Sequence, residues 1–262
     1  LLGGHRGANR LAYSIAEALG GIAAVTTAGD VSLGVSLDEP PQGWALVNRS
    51  DAKGAMAELL AGGGASLSGD EAVNADWLKG LPAGEAVRLT CAIAPQSDLG
   101  PTHLQFAPKR VAVGVGCARN CSTEEMAGLV RSTLRDAGVC DAAVHSVNTI
   151  SLKADEPAIL DLAASLAAPL RLFSASELEI ETPRLATPSD VVFAEVGCHG
   201  VCEAAALAQL GSEGILWVQK RKTSNATVAL GLFPKPTAKL RGEVRGRLSV
   251  VGIGPGQAAW RT

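Results

Sequence analysis

Aromatic side chains are scarce in this chain, with four Trp, four Phe and one Tyr among 262 residues. A core must therefore be packed from Ala, Val, Leu and Ile, which make up most of the 47% apolar content. Apolar runs stop short of the roughly 18 residues needed to cross a bilayer, which excludes a transmembrane helix. No secretory signal is visible, and the C-x-x-C spacing of redox pairs does not occur. Six cysteines without such a signal predict reduced thiols in a cytoplasmic protein. An initiating Met is lacking too. The chain opens Leu1-Leu2-Gly3-Gly4 and closes on an unfinished motif, so a piece of a longer protein is expected. Its length suffices for one large domain or two modest ones.

What the chain does have is one signature twice. Val115-Gly116-Cys117-Ala118-Arg119-Asn120-Cys121 and Val196-Gly197-Cys198-His199-Gly200-Val201-Cys202 both read V-G-C-x-x-x-C and hold four of the six cysteines. Each follows an apolar run of β type and precedes a helix-like run, so both are expected to be strand-to-helix turns. Such turns gather binding groups, because strand ends converge there and helix N-termini expose free N–H donors. The cysteine spacing falls within the range of zinc knuckles, with His199 as an added ligand. Each second cysteine, however, opens a helix, where a thiol packs as a small hydrophobe. Free thiols and no metal are the expectation.

The net charge of −3 conceals an asymmetry. Lys220 to Arg247 carries eight basic residues against Glu243 alone, a balance of +7, while the rest stands at −10. A basic segment on an acidic protein suits either a polyanionic ligand or a solvated linker. For Lys235 to Arg247 the linker is expected.

Along the chain, Leu11, Ile15 and Leu19 predict an amphipathic helix from Asn9, its cap, to a stop at Gly20-Gly21, followed by a β run at 23–27. A helix near 52–60 and a strand near 87–93 form a small unit. Three prolines, one glycine and no periodicity make 95–108 a linker. From Arg110 the pattern is regular. Strands are expected at 111–115, 145–150, 170–173, 191–196, 215–218 and 227–232, with helices at 122–137, 156–167 and 202–210. Ser122 and Glu125 predict a capping box; Asp155 and Pro157 predict the cap and first turn of the next helix.

The alternation predicts an α/β protein, with a small central α/β unit plus a C-terminal α/β layered domain with a mixed, partly parallel sheet. The expected divisions are 1–34, the end of an N-terminal domain; 35–95, the central unit; 96–109, a linker; 110–233, the C-terminal domain; 234–246, a second linker; and 247–262, the start of another domain. There Leu248–Val251 reads as a strand and Gly252-Ile253-Gly254-Pro255-Gly256 as its glycine loop.

Several groups carry chemistry. Lys153 lies beside Asp155 and Glu156 at a strand-to-helix junction, and an anion would relieve the conflict between a lysine and a helix N-terminus. Lys220-Arg221-Lys222 with Thr223-Ser224-Asn225 reads either as an anion-binding loop or as a plain surface turn. Gly3-Gly4-His5-Arg6-Gly7 suits close approach of a ligand to the backbone, with His5 either an acid/base or structural. His103 and His145 are expected to be structural.

Taken together, Gly3–Ala12 with Val25–Asp30, Gly43-Trp44, Val47-Asn48, Ser151–Pro157, Leu170–Leu178, Gly197–Leu207 and Lys220–Ala229 resemble the cobalt-precorrin-5A hydrolases of the CbiG type. The C-terminal part resembles the CobE-type proteins that stand alone. Leu248–Thr262 is similar to the opening of tetrapyrrole methyltransferases, which suggests a fused precorrin-3B C(17)-methyltransferase. The first glycine loop is shorter than the family's, and Cys121, Cys198 and Cys202 stand where many relatives carry Ser, Ala or Gly.

The resemblance implies vitamin B12 biosynthesis, with opening of a δ-lactone and loss of acetaldehyde, and no cofactor for that step. For that chemistry His5, Glu156 and Glu203 are taken as the acid/base candidates, and Arg119, Lys153, His199, Lys220, Lys222 and Asn225 as holders of substrate carboxylates. Gly252, Gly254, Pro255 and Gly256 would meet S-adenosylmethionine in a complete methyltransferase, but residues 1–262 alone are expected to transfer no methyl. A corrinoid intermediate is the expected partner, with no nucleic acid and no membrane; a homodimer and contacts with other enzymes of the pathway are further expectations. The alternative is a non-catalytic carrier of corrinoid intermediates.

Overall fold

A computed structural model of the chain describes residues 8–22 and 33–245. The Leu11/Ile15/Leu19 periodicity forms α1 (Ala8–Leu19), which begins before Asn9 and so places that residue in the first turn rather than at the cap. The β run expected at 23–27 and the strand and glycine loop expected at 248–256 lie outside the described residues.

Four strands make the first sheet: β1 (Trp44–Leu46), β2 (Ala65–Ser68), β3 (Val87–Cys91) and β4 (His103–Pro108), in the order β1-β4-β3-β2. β2, β3 and β4 run parallel and β1 antiparallel to β4. Helix α2 (Ala52–Leu60) buries Ala52, Ala55, Met56 and Leu59 in the same core. Several of the scarce aromatics gather there: Trp77 meets Trp44 and Phe106 edge-on, with ring centroids 6.2 and 5.0 Å apart.

The stretch expected as a linker contains β4, buried along its whole length. Its strand character is hidden in the sequence because two of its buried residues are polar. His103 Nε2 and Thr90 Oγ1 are hydrogen-bonded at 2.8 Å, and Gln105 Nε2 donates to the carbonyls of Ala92 and Ala94 at 3.2 and 2.7 Å. Buried polar groups are tolerated when paired in this way.

The second sheet joins β5 (Val111–Cys117), β6 (Val144–Ile150), β7 (Leu170–Phe173), β8 (Ile215–Lys222) and β9 (Ala226–Leu232) in the order β7-β6-β5-β9-β8. β5, β6 and β7 are parallel, and β9 is antiparallel to both β5 and β8. Strand alternation sorts β5 into two faces. Val111, Val113 and Val115 pack with Met126, Val130 and Leu134 of α3 (Thr123–Asp136) and with Ile159 and Leu162 of α4 (Pro157–Ser165). Ala112, Gly114 and Gly116 face α7 (Cys202–Leu210). A Cβ on Gly114 would overlap the Cys202 carbonyl oxygen, so glycine there sets how closely helix and sheet approach.

Helices α5 (Ala175–Glu179) and α6 (Asp190–Val196) complete that outer layer. The run Val191–Val196, expected as a strand, is thus a helix. Ser189 caps its first turn by accepting the Val192 N–H, and Gly197 ends it with φ +78°. The local caps outweigh the β-branched composition. The segment expected as a second linker is also ordered. Leu172 and Glu243 exchange main-chain bonds of 2.9 and 2.8 Å, and Gln209 Nε2 donates to Lys239 O at 3.2 Å, fastening it to the β7 edge and to α7. No helix among the described residues is long and apolar enough to cross a membrane.

Candidate functional site at the sheet's carboxyl rim

The parallel strands β5, β6 and β7 end on one rim, and the β8–β9 hairpin turns on the same side because Cys117 pairs with Ala226 and Lys222 with Thr227. From β5 the chain leaves for α3 on one face, whereas α7, which leads into β8, covers the other. The sheet is thus covered on both faces, and the loops that follow its parallel strands gather at this rim. The two V-G-C-x-x-x-C segments flank it. The first, 118–122, departs from β5. The second approaches β5 through Val201, whose side chain lies against Gly116. The second is a helix-to-helix turn, not the strand-to-helix turn expected.

On the α4 side, Glu156 is buried at the N-cap position of α4, the place expected for Asp155. Its Oε1 accepts the Asn120 N–H at 2.9 Å; its Oε2 lies 3.5 Å from Lys153 Nζ and 3.6 Å from an Arg119 nitrogen. Asn120 reaches this position with φ +58°, a left-handed conformation that Asn tolerates. Arg119 also pairs with Asp155 at 3.1 Å and donates to Leu152 O at 2.8 Å. The hydrogen bond from Arg119 holds the Asp155 carboxyl below its usual range. Arg119, Lys153 and Glu156 are therefore brought together, and Asp155 serves Arg119 rather than the helix cap.

Glu203, the other expected acid/base carboxylate, faces inward on α7. Its Oε2 accepts the N–H groups of Ala186 and Thr187 at 2.9 and 3.0 Å, and its Oε1 accepts the Lys220 N–H at 2.8 Å. It acts as a strut between the 186–187 turn and β8. Lys220, Arg221 and Lys222 lie within β8 rather than in a loop. Lys220 donates its ammonium to Thr187 O at 3.3 Å, and Arg221 pairs with Asp136 at 2.6 Å. Lys222 is exposed, and its side chain has no partner among the described residues.

Asn225 is committed elsewhere. Its main-chain and side-chain N–H groups donate to the two Glu125 oxygens at 2.9 and 3.0 Å, with Thr223 Oγ1 donating to the same carboxylate at 2.5 Å. These bonds, Thr223's foremost, hold the Glu125 carboxyl below its ordinary value. The expected capping box is consequently half made: Ser122 Oγ accepts the Glu125 N–H at 3.3 Å, but the carboxylate turns to the hairpin. Sequence periodicity places Glu125 on a helix and carries no signal for a partner a hundred residues away.

His199 lies in the second segment. Its Nδ1 is 2.9 and 3.0 Å from the two Glu179 oxygens, its main-chain N–H donates to Glu179 Oε2 at 3.0 Å, and its ring stacks on Phe193 with centroids 4.5 Å apart. Burial works to raise the Glu179 carboxyl, but bonds from His199 and Thr182 outweigh it and leave it below its usual range. Nothing in the sequence marked Glu179 or Phe193.

All six cysteines are free. Burial pushes the Cys117 thiol up to about 11, and Cys202 likewise. No group of three or more His, Cys, Asp or Glu among the described residues is arranged to hold a metal ion. His5 and the four residues Gly252, Gly254, Pro255 and Gly256 lie outside the described residues.

A mixed sheet with helices on both faces defines a three-layer α/β protein. Residues 111–231 match the family described as cobalamin synthesis G C-terminus, and residues 1–30 match cobalamin synthesis G N-terminal. Protein CobE of a Sinorhizobium species is 43% identical over 135 residues, covering 52% of this chain and 85% of that one. A cobalt-precorrin-5A hydrolase of Priestia megaterium is 27% identical over 257 residues, covering 89% and 68%. A solved CobE structure, from the cobalamin (vitamin B12) biosynthetic pathway, is 36% identical, covering 47% of this chain and 89% of that one, with a TM-score of 0.44. The chain belongs to the CobE and cobalamin synthesis G family.

Proposed function

We propose that the protein acts in cobalamin biosynthesis by opening the δ-lactone of cobalt-precorrin-5A with loss of acetaldehyde. The observation that carries this is the Arg119–Lys153–Glu156 cluster at the carboxyl rim of the sheet, with the unpaired Lys222 on the same rim. A corrin intermediate bears many acetate and propionate carboxylates, and cations fixed on a rim are suited to hold them. The relatives named as cobalt-precorrin-5A hydrolases support the same substrate.

Lactone opening adds water to the acyl carbon and delivers its proton, by way of a base, to the departing ring oxygen. In the second step the freed hydroxyl loses its proton, the adjacent C–C bond breaks, its electron pair stays with the macrocycle, and acetaldehyde leaves. Glu156 is the acid/base candidate flanked by two cations, and Lys153 and Arg119 at its side lower the cost of negative charge developing there. His5 remains an acid/base candidate. We assign Lys222 to a peripheral carboxylate and Asn225 to shaping the hairpin that presents it.

A fused precorrin-3B C(17)-methyltransferase beginning at residue 247 and using S-adenosylmethionine belongs to the same proposal, supported by the resemblance of Leu248–Thr262. A second reading is favoured by the saturation of Glu203 and the anchoring of Glu156: a corrinoid carrier without its own chemistry. Incubation of the full protein with cobalt-precorrin-5A separates the two. Stoichiometric or catalytic acetaldehyde supports the hydrolase; tight binding without acetaldehyde supports the carrier.

A further inference from the structure

The His199–Glu179 pair is not used by the lactone chemistry above. Glu179 holds the ring at Nδ1, Phe193 supports one face, and the main-chain N–H of His199 fixes the carboxylate in return. Nε2 points the other way. Its nearest charged group is the fully exposed Asp190 carboxylate, 3.5 Å away, which a ligand can displace. Phe193, stacked on the ring, is itself exposed and adds an apolar surface beside the pair. A carboxylate that orients one imidazole nitrogen, with the other facing only a fully exposed carboxylate, is an arrangement that can present histidine to a metal ion.

The segment carrying His199 closes over the carboxyl ends of β6 and β7. Cys198 packs with Ile150 and Phe173, the last residues of those strands. His199 thus stands beside the carboxyl ends of β6 and β7, the rim that also carries Lys153 just after β6. The other described histidines offer no such nitrogen, since His103 and His145 are each 5% exposed.

We propose that His199 Nε2 is an axial ligand to the cobalt of the bound corrinoid, with Glu179 as the residue that positions the ring. This rests on the corrinoid reading above. The macrocycle's apolar periphery would lie against exposed Phe193 while its carboxylates reach the cationic rim. Coordination replaces a cobalt-bound water by the imidazole nitrogen, with no change of oxidation state.

The test uses the full protein with cobyrinic acid, a cobalt corrinoid that carries free carboxylates, and its metal-free counterpart hydrogenobyrinic acid. After reduction to Co(II), each high-field electron paramagnetic resonance line is expected to split into three from one 14N nucleus, and into two in protein labelled with 15N-histidine. His199→Phe keeps a ring on Phe193 but removes the nitrogen. It should abolish the splitting and weaken cobyrinic acid about tenfold or more while leaving hydrogenobyrinic acid unaffected. Glu179→Gln should weaken nitrogen ligation in the same direction. Binding of cobyrinic acid without nitrogen splitting, or splitting that survives in His199→Phe, overturns this assignment and leaves the corrinoid reading standing. Failure of both corrinoids to bind overturns both.

Discussion

The main-chain N–H of Asn120 donates to Glu156 Oε1 at 2.9 Å, so the loop leaving β5 is pinned to the start of α4 by a buried carboxylate. The same carboxylate lies between Lys153 and Arg119 and determines where both cations stand. Glu156→Ala leaves the Asn120 N–H and the nearly buried Lys153 without their acceptor. A loss of about 1–3 kcal/mol in urea unfolding is expected, together with weakened corrinoid binding. Glu156→Gln keeps an acceptor for Asn120 and should recover most of the stability but not the binding. Equal stability in all three proteins would refute the pinning of this loop by Glu156.

Two glycines should respond to alanine with opposite sign. At Gly114 the added methyl group meets the Cys202 carbonyl oxygen and the Ala206 nitrogen, both backbone atoms that cannot step aside. Gly114→Ala is expected to cost about 1–3 kcal/mol or more. Gly128 lies inside α3 with open space where its Cβ would be. Gly128→Ala should stabilise by about 0.5–1 kcal/mol through helix propensity. Thermal midpoints of the two variants against the parent decide both.

Stability should fall on both sides of neutrality. Burial, assisted by Lys109, lowers His145 from 6.5 to about 4. Its folded pKa is depressed, so its contribution is complete above 6.5 and is lost as pH falls toward 4, on the order of 3 kcal/mol. Burial raises Cys91 to about 12 and Cys117 and Cys202 to about 11 from 9.0. Their contribution is complete below 9.0 and is lost as pH climbs through 11 and 12. Urea midpoints across pH should flatten on the acid side in His145→Phe and on the alkaline side in Cys117→Ala. An unchanged acid limb in the first variant would rule out His145 as its source.

Lys222 separates binding from folding. It is exposed and unpaired, so Lys222→Ala should leave stability within about 0.5 kcal/mol. Affinity for cobyrinic acid should drop about three- to tenfold, and less at high salt, because the lost interaction is one screened charge pair. Titration at two ionic strengths measures both. An affinity insensitive to Lys222 and to salt would remove it from the carboxylate-binding rim.

The elements that could be read from the chain were those whose pattern reports burial directly. Val111, Val113 and Val115 alternate because one face of β5 is core, and α2 and α7 begin and end at the residues their composition indicates. Where burial and polarity part company the pattern fails, as at His103 and Gln105 in β4. Where composition and capping disagree it misleads, as at Val191–Val196, which Ser189 and Gly197 turn into a helix. The α4 side of the rim was legible because Lys153 and Glu156 are close in sequence.

By itself the sequence determined the α/β class, the two V-G-C-x-x-x-C segments, the Ala/Val/Leu/Ile core and which cations stood available. Local propensity and period-two burial act over a few residues and are written in neighbouring letters. Only the tertiary structure decided the partners. It gave Asn225 to Glu125, Glu203 to three main-chain N–H groups, and His199 to Glu179, leaving Lys222 unpaired at the rim. Those pairings span from 16 to 100 residues. They depend on which strands lie side by side, and no local pattern encodes that order.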